Sequence, residues 1–172
     1  MNTTARRVLS VGLLLYGVYG LRHQGEGSLL DGVDLAIHET GHLVFGPFGE
    51  FVGFTGGTLF QLLMPMAFVL YFLRRHDRYA ASVALWWVGQ NCGHIAVYVA
   101  DARAQELPLV GGGEHDWEYL LGRTGLLASD VALARAITSL GYLLVVGAAV
   151  WGLLRASESV DAEVLARDPR PN

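Results

Sequence analysis

Four long runs without a charged side chain constrain the fold of this chain more than any other feature of its sequence. With histidine taken as neutral, they cover residues 8–21, 51–73, 79–100 and 136–154. A helix needs about 20 apolar residues to cross the hydrocarbon core of a bilayer. The last three runs meet that length, and the first can cross if it tilts or if its flanking arginines snorkel. The sequence therefore predicts an all-α polytopic membrane protein with about four transmembrane helices.

The composition indicates the same class. Of the 172 residues, 52% are hydrophobic and only 16% are charged, whereas about 25% are charged in average soluble domains. The formal net charge is −4, every basic residue is arginine, and no basic stretch is present. We therefore expect the lipid bilayer as a partner and no nucleic acid. The single cysteine, Cys92, excludes an internal disulfide framework and a cysteine-rich zinc site.

The arginines predict how the spans are oriented. Arg6 and Arg7 precede the first run, three arginines lie in the turn 74–78, and Arg155 follows the last run. Because cytoplasmic loops are enriched in basic residues, all three groups are placed in the cytoplasm. Both termini are then cytoplasmic, and a bacterial inner membrane is the expected location.

This orientation leaves one segment outside the count of spans. An even number of crossings separates Arg7 from the turn 74–78 only if residues 31–49 do not cross the bilayer. That segment is also acidic, which disfavours a lipid-facing span, so we predict a helix on the outer face or one that re-enters the bilayer from it. Residues 1–156 would form a helical transmembrane domain, and residues 157–172 a polar cytoplasmic tail.

The strongest local signal for chemistry is the sequence His-Glu-Thr-Gly-His at residues 38–42. Positions i and i+4 share a helix face, so His38 and His42 can bind one metal ion. Glu39 lies beside that face, where a carboxylate can take a proton from an activated water molecule. Asp34, one turn earlier, is predicted to accept the other ring proton of a histidine. Such a pair can also simply pack at an interface, but these residue types are costly beside lipid, which favours a metal site with zinc as the expected ion.

A catalytic zinc ion commonly has three protein ligands, so one more must come from another segment. One source is a polar face along the third run and the residue that follows it, which carries Asn91, His94, Tyr98 and Asp101. The other is the glycine-rich loop that ends in His115 and Asp116. We predict the third ligand to be one of four residues, in order of preference: Asp101, His115, and then His94 and Asp116. Each also has a structural interpretation, as a satisfied core residue, a helix end or part of a turn.

Two segments resemble a known family. Residues 38–42 resemble the active-site helix of the site-2-protease family of intramembrane zinc metalloproteases, which favours glycine before the second histidine. Residues 56–61, Gly-Gly-Thr-Leu-Phe-Gln, look similar to that family's glycine-proline…asparagine segment, with Thr58 and Gln61 as substitutes. Together these matches cover less than a third of the chain.

The resemblance has consequences for the site. It implies that His38 and His42 are zinc ligands and that Glu39 is the general base. It also implies a third ligand in a Leu-Asp-Gly-type motif on a later span. The nearest match to that motif here is Val-Ala-Asp-Ala, which contains Asp101.

The sequence leaves two functions open. One is a membrane-embedded metal-dependent hydrolase, specifically a zinc peptidase that acts on a peptide substrate with water activated by Glu39. The other is a non-catalytic integral membrane subunit of a larger respiratory or photosynthetic complex, whose histidines bind a pigment, a metal or partner proteins. An iron-dependent oxidase fits less well, because di-iron bundles use two Glu-x-x-His motifs and only Glu39 with His42 forms one here.

Overall fold

The described part of the chain is all-helical, which confirms the all-α part of the predicted fold class. A computed structural model describes residues 1–23, 30–109 and 113–157. Its α-helices are α1 (Thr3–Arg22), α2 (Asp31–Phe45), α3 (Glu50–Arg74), α4 (Arg78–Ala100), α5 (Asp116–Thr124) and α6 (Asp130–Arg155). Most of the predicted tail, residues 158–172, lies outside the described residues.

Each uncharged run predicted as a span lies within one helix. By length and composition, α3 and the helical run Leu127–Arg155, which contains α6, could cross a membrane. The other two runs lie in α1, with 20 residues, and α4, with 23. Helices of this length span about 30 to 35 Å at 1.5 Å per residue. Together, α1, α3, α4 and α6 form the long helices of the bundle.

The α4 helix is the centre of the bundle and packs against α1, α3 and α6. Three hydrogen bonds join α4 to α1, and each links residues 73 positions apart in the sequence. They run from Tyr79 Oη to Arg6 O (2.7 Å), from Trp86 Nε1 to Leu13 O (2.7 Å) and from Gln90 Nε2 to Gly17 O (3.1 Å). A constant offset means that α1 and α4 run parallel. The start of α1 and the α3–α4 turn therefore lie at one end of the bundle, which is the arginine-bearing end.

The predicted extra helix, α2, is inserted into the bundle rather than laid across its end. It runs antiparallel to the first half of α3, and the two backbones cross where Gly41 meets Gly56; a methyl group on Gly41 would collide with the Gly56 carbonyl. Near the start of α2, Asp34 Oδ1 accepts a hydrogen bond from Trp87 Nε1 at 2.8 Å. Since Trp87 lies near the middle of α4, α2 begins at mid-height in the bundle and ends at its rim.

The short helix α5 lies over the start of α3 at that rim. The Tyr119 ring stacks on Phe54 at 4.1 Å between centroids, and its hydroxyl donates to Glu50 Oε2 at 2.9 Å. The loop that follows α4 is tied to α6, because Arg103 holds both carboxylate oxygens of Asp130 at 2.8 Å. These contacts place the first turn of α5 opposite the middle of α2, so that Asp116 faces His38 and His42.

Candidate metal centre

Three side chains from two distant segments converge where the first residue of α5 faces the middle of α2. Asp116 Oδ2 lies 2.9 Å from His38 Nε2 and 3.2 Å from His42 Nε2. All three potential ligand atoms lie within 4.8 Å of one another. Ligand atoms of a tetrahedral zinc ion, each at about 2.0 Å from the metal, lie about 3.3 Å apart. The two distances to Asp116 are close to this value, so two imidazoles and one carboxylate could hold a metal ion here.

Both imidazoles are oriented by a hydrogen bond on the side away from Asp116. His42 Nδ1 lies 2.8 Å from Gly53 O, and because a carbonyl only accepts, Nδ1 carries the proton. His38 Nδ1 lies 3.2 Å from Gln61 Oε1. Metal-binding histidines usually donate their second ring proton in this way, which leaves the other nitrogen free for the ion. The arrangement points the Nε2 atoms of both histidines at the same oxygen, Asp116 Oδ2.

The position of this point is set by a glycine of α3. A methyl group at Gly57 would lie 2.5 Å from His38 Nε2 and 2.6 Å from His42 Nε2. Only glycine lets the α3 backbone come this close while leaving room for an ion. The Gly-Gly pair therefore has two roles, because Gly56 allows the close crossing with α2 and Gly57 forms one wall of the site.

In the absence of a metal ion, Asp116 holds a proton on His42. The hydrogen bond to Asp116 raises the pKa of His42 from 6.5 to about 9, against an opposing effect of burial. Burial pushes the pKa of Asp116 up, but hydrogen bonds from His38 and His42 outweigh it and hold that pKa below its usual value. Asp116 is therefore ionised at neutral pH, and His42 Nε2 carries a proton that a metal ion must displace.

This competition predicts a pH dependence of metal binding. We expect about one proton to be released for each ion bound at pH 7, because His42 can bind the ion only after Nε2 loses its proton. Apparent affinity should rise about tenfold per pH unit from pH 7 and level off above the His42 pKa of about 9. Isothermal titration calorimetry in buffers of different ionisation enthalpy measures the proton release, and a pH-independent affinity would contradict this prediction.

The two residues ranked first as the third ligand are engaged elsewhere. Asp101 accepts hydrogen bonds from the backbone N–H groups of Glu106 at 2.9 Å and Leu107 at 3.1 Å. His115 Nδ1 accepts from Glu118 N at 3.3 Å, and its Nε2 lies 3.3 Å from Asp101 Oδ2. The structure therefore does not place Asp101 or His115 with His38 and His42. Asp116, which was ranked last together with His94, lies with the two histidines instead.

Asp34, which was predicted to accept a histidine ring proton, lies beside His94, whereas His38 bonds to Gln61 and Asp116. Asp34 bonds to Trp87, and its Oδ2 lies 3.1 Å from His94 Nδ1. His94 Nε2 in turn lies 2.9 Å from Asp31 Oδ1. His94 and Asp34 thus form a second polar group, separate from the three clustered side chains. Gln61, named from the sequence only for the family resemblance, accepts the His38 ring proton.

A cavity of about 750 Å³ lies in front of the three clustered side chains. Its lining includes Glu39, which is half-buried and follows His38 directly in α2. The walls are otherwise partly apolar, with Leu35, Phe54 and Ile95 among them. A proton acceptor, a candidate metal centre and space for a substrate are therefore combined in one cavity.

Comparisons with known proteins add no assignment. The chain matches no protein-family model, and comparisons with curated proteins and with solved structures gave no significant match.

Proposed function

We propose that this chain is a membrane-embedded metal-dependent hydrolase, with zinc as its metal and a peptide bond as the bond that it cleaves. The observation that carries this proposal is the convergence of His38, His42 and Asp116 beside a cavity that also contains Glu39. Imidazole and carboxylate side chains are common zinc ligands, and three protein ligands leave a coordination position for a reactant.

The residues of the cavity have distinct roles in this proposal. A bound zinc ion would supply Lewis-acid chemistry, polarising a carbonyl group and acidifying water. Glu39 takes a proton from the attacking water molecule and returns it to the nitrogen of the leaving amine. Gln61 and the Gly53 carbonyl keep the two imidazoles in the orientation that an ion needs.

The membrane location is supported by the surface of the bundle. Leu15 of α1 and Leu143 and Leu154 of α6 are 67%, 72% and 73% exposed, and side chains of this kind are more stable in contact with lipid than with water. We propose that α1, α3, α4 and α6 cross the bilayer and that α2 re-enters it from the outer side. The arginine-bearing end would face the cytoplasm. A bacterial inner membrane stays a prediction.

The resemblance to the site-2-protease family is compatible with this proposal at the level of residue types. Two histidines separated by three residues, a glutamate between them and a distant aspartate are the residues that the resemblance implies. In this chain the aspartate would be Asp116, at the start of α5, rather than Asp101 at the end of α4. The family relationship itself is therefore proposed together with the function.

Replacing the general base tests the proposed catalysis. We expect Glu39→Gln to retain zinc but to lower hydrolysis by about 100- to 10,000-fold, because the base is lost while all three ligands remain. Purified protein in detergent would be assayed on fluorescein-labelled casein and on a single-span peptide, with metal content measured in parallel. Glu50→Gln is a matched control, since Glu50 lines the same cavity but accepts from Tyr119.

Two outcomes would contradict the proposal in different ways. Wild-type protein that retains no transition metal would remove the metal centre. Protein that retains zinc, cleaves neither substrate and co-purifies with other membrane proteins would instead favour a non-catalytic subunit of a larger complex.

A further inference from the structure

Tyr98 lies beside the candidate metal centre, and no step described so far uses it. It is on α4, lines the cavity and presents its ring edge-on to His38, with the centroids 6.0 Å apart. Its hydroxyl oxygen accepts a hydrogen bond from the backbone N–H of Asp116 at 3.3 Å. Tyr98 therefore has its ring beside the proposed ligand His38 and its hydroxyl beside the backbone of the proposed ligand Asp116.

The direction of this hydrogen bond determines what the hydroxyl can do. A phenol has one proton to donate and lone pairs that accept. Because the Asp116 N–H can only donate, Tyr98 Oη is the acceptor there, and its own proton is left for another partner. A hydroxyl beside a metal centre can give that proton in a hydrogen bond to an anionic oxygen that forms in the cavity.

The tyrosine ring is held in place by His115, which was predicted as a ligand. His115 packs against Tyr98 with the ring centroids 4.1 Å apart. His115 is itself fixed, because its Nδ1 accepts from Glu118 N and its Nε2 faces Asp101. A donor that is held before the substrate arrives requires little reorganisation during the reaction, which is the condition for effective stabilisation of developing charge.

We propose that Tyr98 is a further catalytic residue, whose Oη–H donates a hydrogen bond to the oxyanion of the tetrahedral intermediate. This inference rests on the proposed hydrolase function. The oxygen of water bonds to the substrate carbonyl carbon, and the water proton passes to Glu39. The carbonyl π electrons move onto oxygen, and the Tyr98 hydroxyl stabilises that negative charge without transferring its proton. When the C–N bond breaks, its electron pair leaves with nitrogen, which takes the proton from Glu39.

The test uses inorganic phosphate as a tetrahedral oxyanion probe for the metal-loaded protein. Tyr98→Phe removes the hydroxyl and keeps the ring that packs on His115. We expect this variant to retain cobalt at the wild-type level and to bind phosphate about 10- to 100-fold more weakly, because a hydrogen bond to a charged group is lost. Phosphate binding would be followed through the visible absorption of the cobalt-substituted protein. Tyr119→Phe is the matched control, since its hydroxyl is bonded to Glu50, and we expect its affinity for phosphate to be unchanged.

Each other outcome overturns the inference for a separate reason. Loss of cobalt in Tyr98→Phe would mean that the hydroxyl only positions Asp116. If Tyr98→Phe keeps its full cobalt content and binds phosphate as tightly as the wild type, Oη makes no contact with the oxyanion. If phosphate leaves the visible spectrum of the wild-type cobalt protein unchanged, the cavity does not bind a tetrahedral oxyanion at the metal, and the inference fails as well. If the wild-type protein binds no metal, the proposed function fails as well, and the metal measurement identifies that case.

Discussion

Changing Asp116 to asparagine is expected to lower the affinity for zinc by more than about 100-fold. Loss of a residue that only orients a ligand typically costs 10- to 100-fold in metal affinity, and Asp116 is itself one of the three convergent side chains. Asparagine has nearly the same shape but no charge, so the fold of α5 should survive. Metal retained after purification and a competition titration with a chelator measure the effect.

The matched control is the same substitution at Asp101. Its carboxylate accepts from two backbone N–H groups and faces His115, and the amide oxygen of asparagine can still accept one of those bonds. Asp101→Asn should therefore keep zinc within about tenfold of the wild type. The opposite pattern, with metal lost in Asp101→Asn and kept in Asp116→Asn, would restore the ligand predicted first from the sequence.

Adding one methyl group to Gly57 is expected to abolish tight metal binding without removing any ligand. The new carbon would lie 2.5 Å from His38 Nε2 and 2.6 Å from His42 Nε2, in the space between the two nitrogens. Either the imidazoles rotate away or α2 moves off α3, and both changes destroy the common coordination point. We expect a loss of at least about 100-fold in affinity, since first-shell geometry is disturbed, measured as for Asp116.

Gly147 of α6 is a suitable control for that substitution. A methyl group there would have no neighbour within 4 Å, and alanine is favoured over glycine inside a helix by up to about 1 kcal/mol. Gly147→Ala should therefore keep the wild-type zinc content and an equal or higher thermal midpoint. If Gly57→Ala binds zinc as tightly as the wild type, the claim that the backbone at Gly57 forms one wall of the metal site is wrong.

The structure gives a reason why binding of an ion should also affect the rigidity of the bundle. The proposed ligands lie on α2 and α5, which are separated in sequence by 78 positions between His38 and Asp116. An ion held by both helices would join the inserted helix to the rim. Because ligand binding to the folded state alone raises stability, zinc should stabilise the contact between these helices most.

The long helices and the histidine pair of α2 could be predicted from the sequence, because each depends only on residues that are close together in the chain. Uncharged runs of helical length predicted α1, α3, α4 and α6, and the i, i+4 spacing predicted that His38 and His42 share a face. The glutamate between them follows from the same spacing. In each case the relevant residues lie within one helix, so helical geometry alone relates them.

The choice between Asp101 and Asp116 could not be made in this way. Both aspartates lie next to a helix end and a loop, and an aspartate carboxylate can accept hydrogen bonds from nearby backbone N–H groups. In the structure, Asp101 binds the backbone of the following loop, whereas His115 takes the capping position of α5 and leaves the Asp116 carboxylate facing the histidines. Which residue caps depends on the path of the chain between α4 and α5.

The sequence by itself determined the helical class and the two imidazoles on one face of α2, since these follow from the 3.6-residue period and from hydropathy. Tertiary structure alone decided that Asp116 completes the cluster, that Gln61 orients His38 and that α2 is inserted to the level of Trp87. Those contacts depend on the relative heights of separate helices. Packing at Gly41 and Gly56 and the anchoring of α5 set these heights, and no local pattern encodes them.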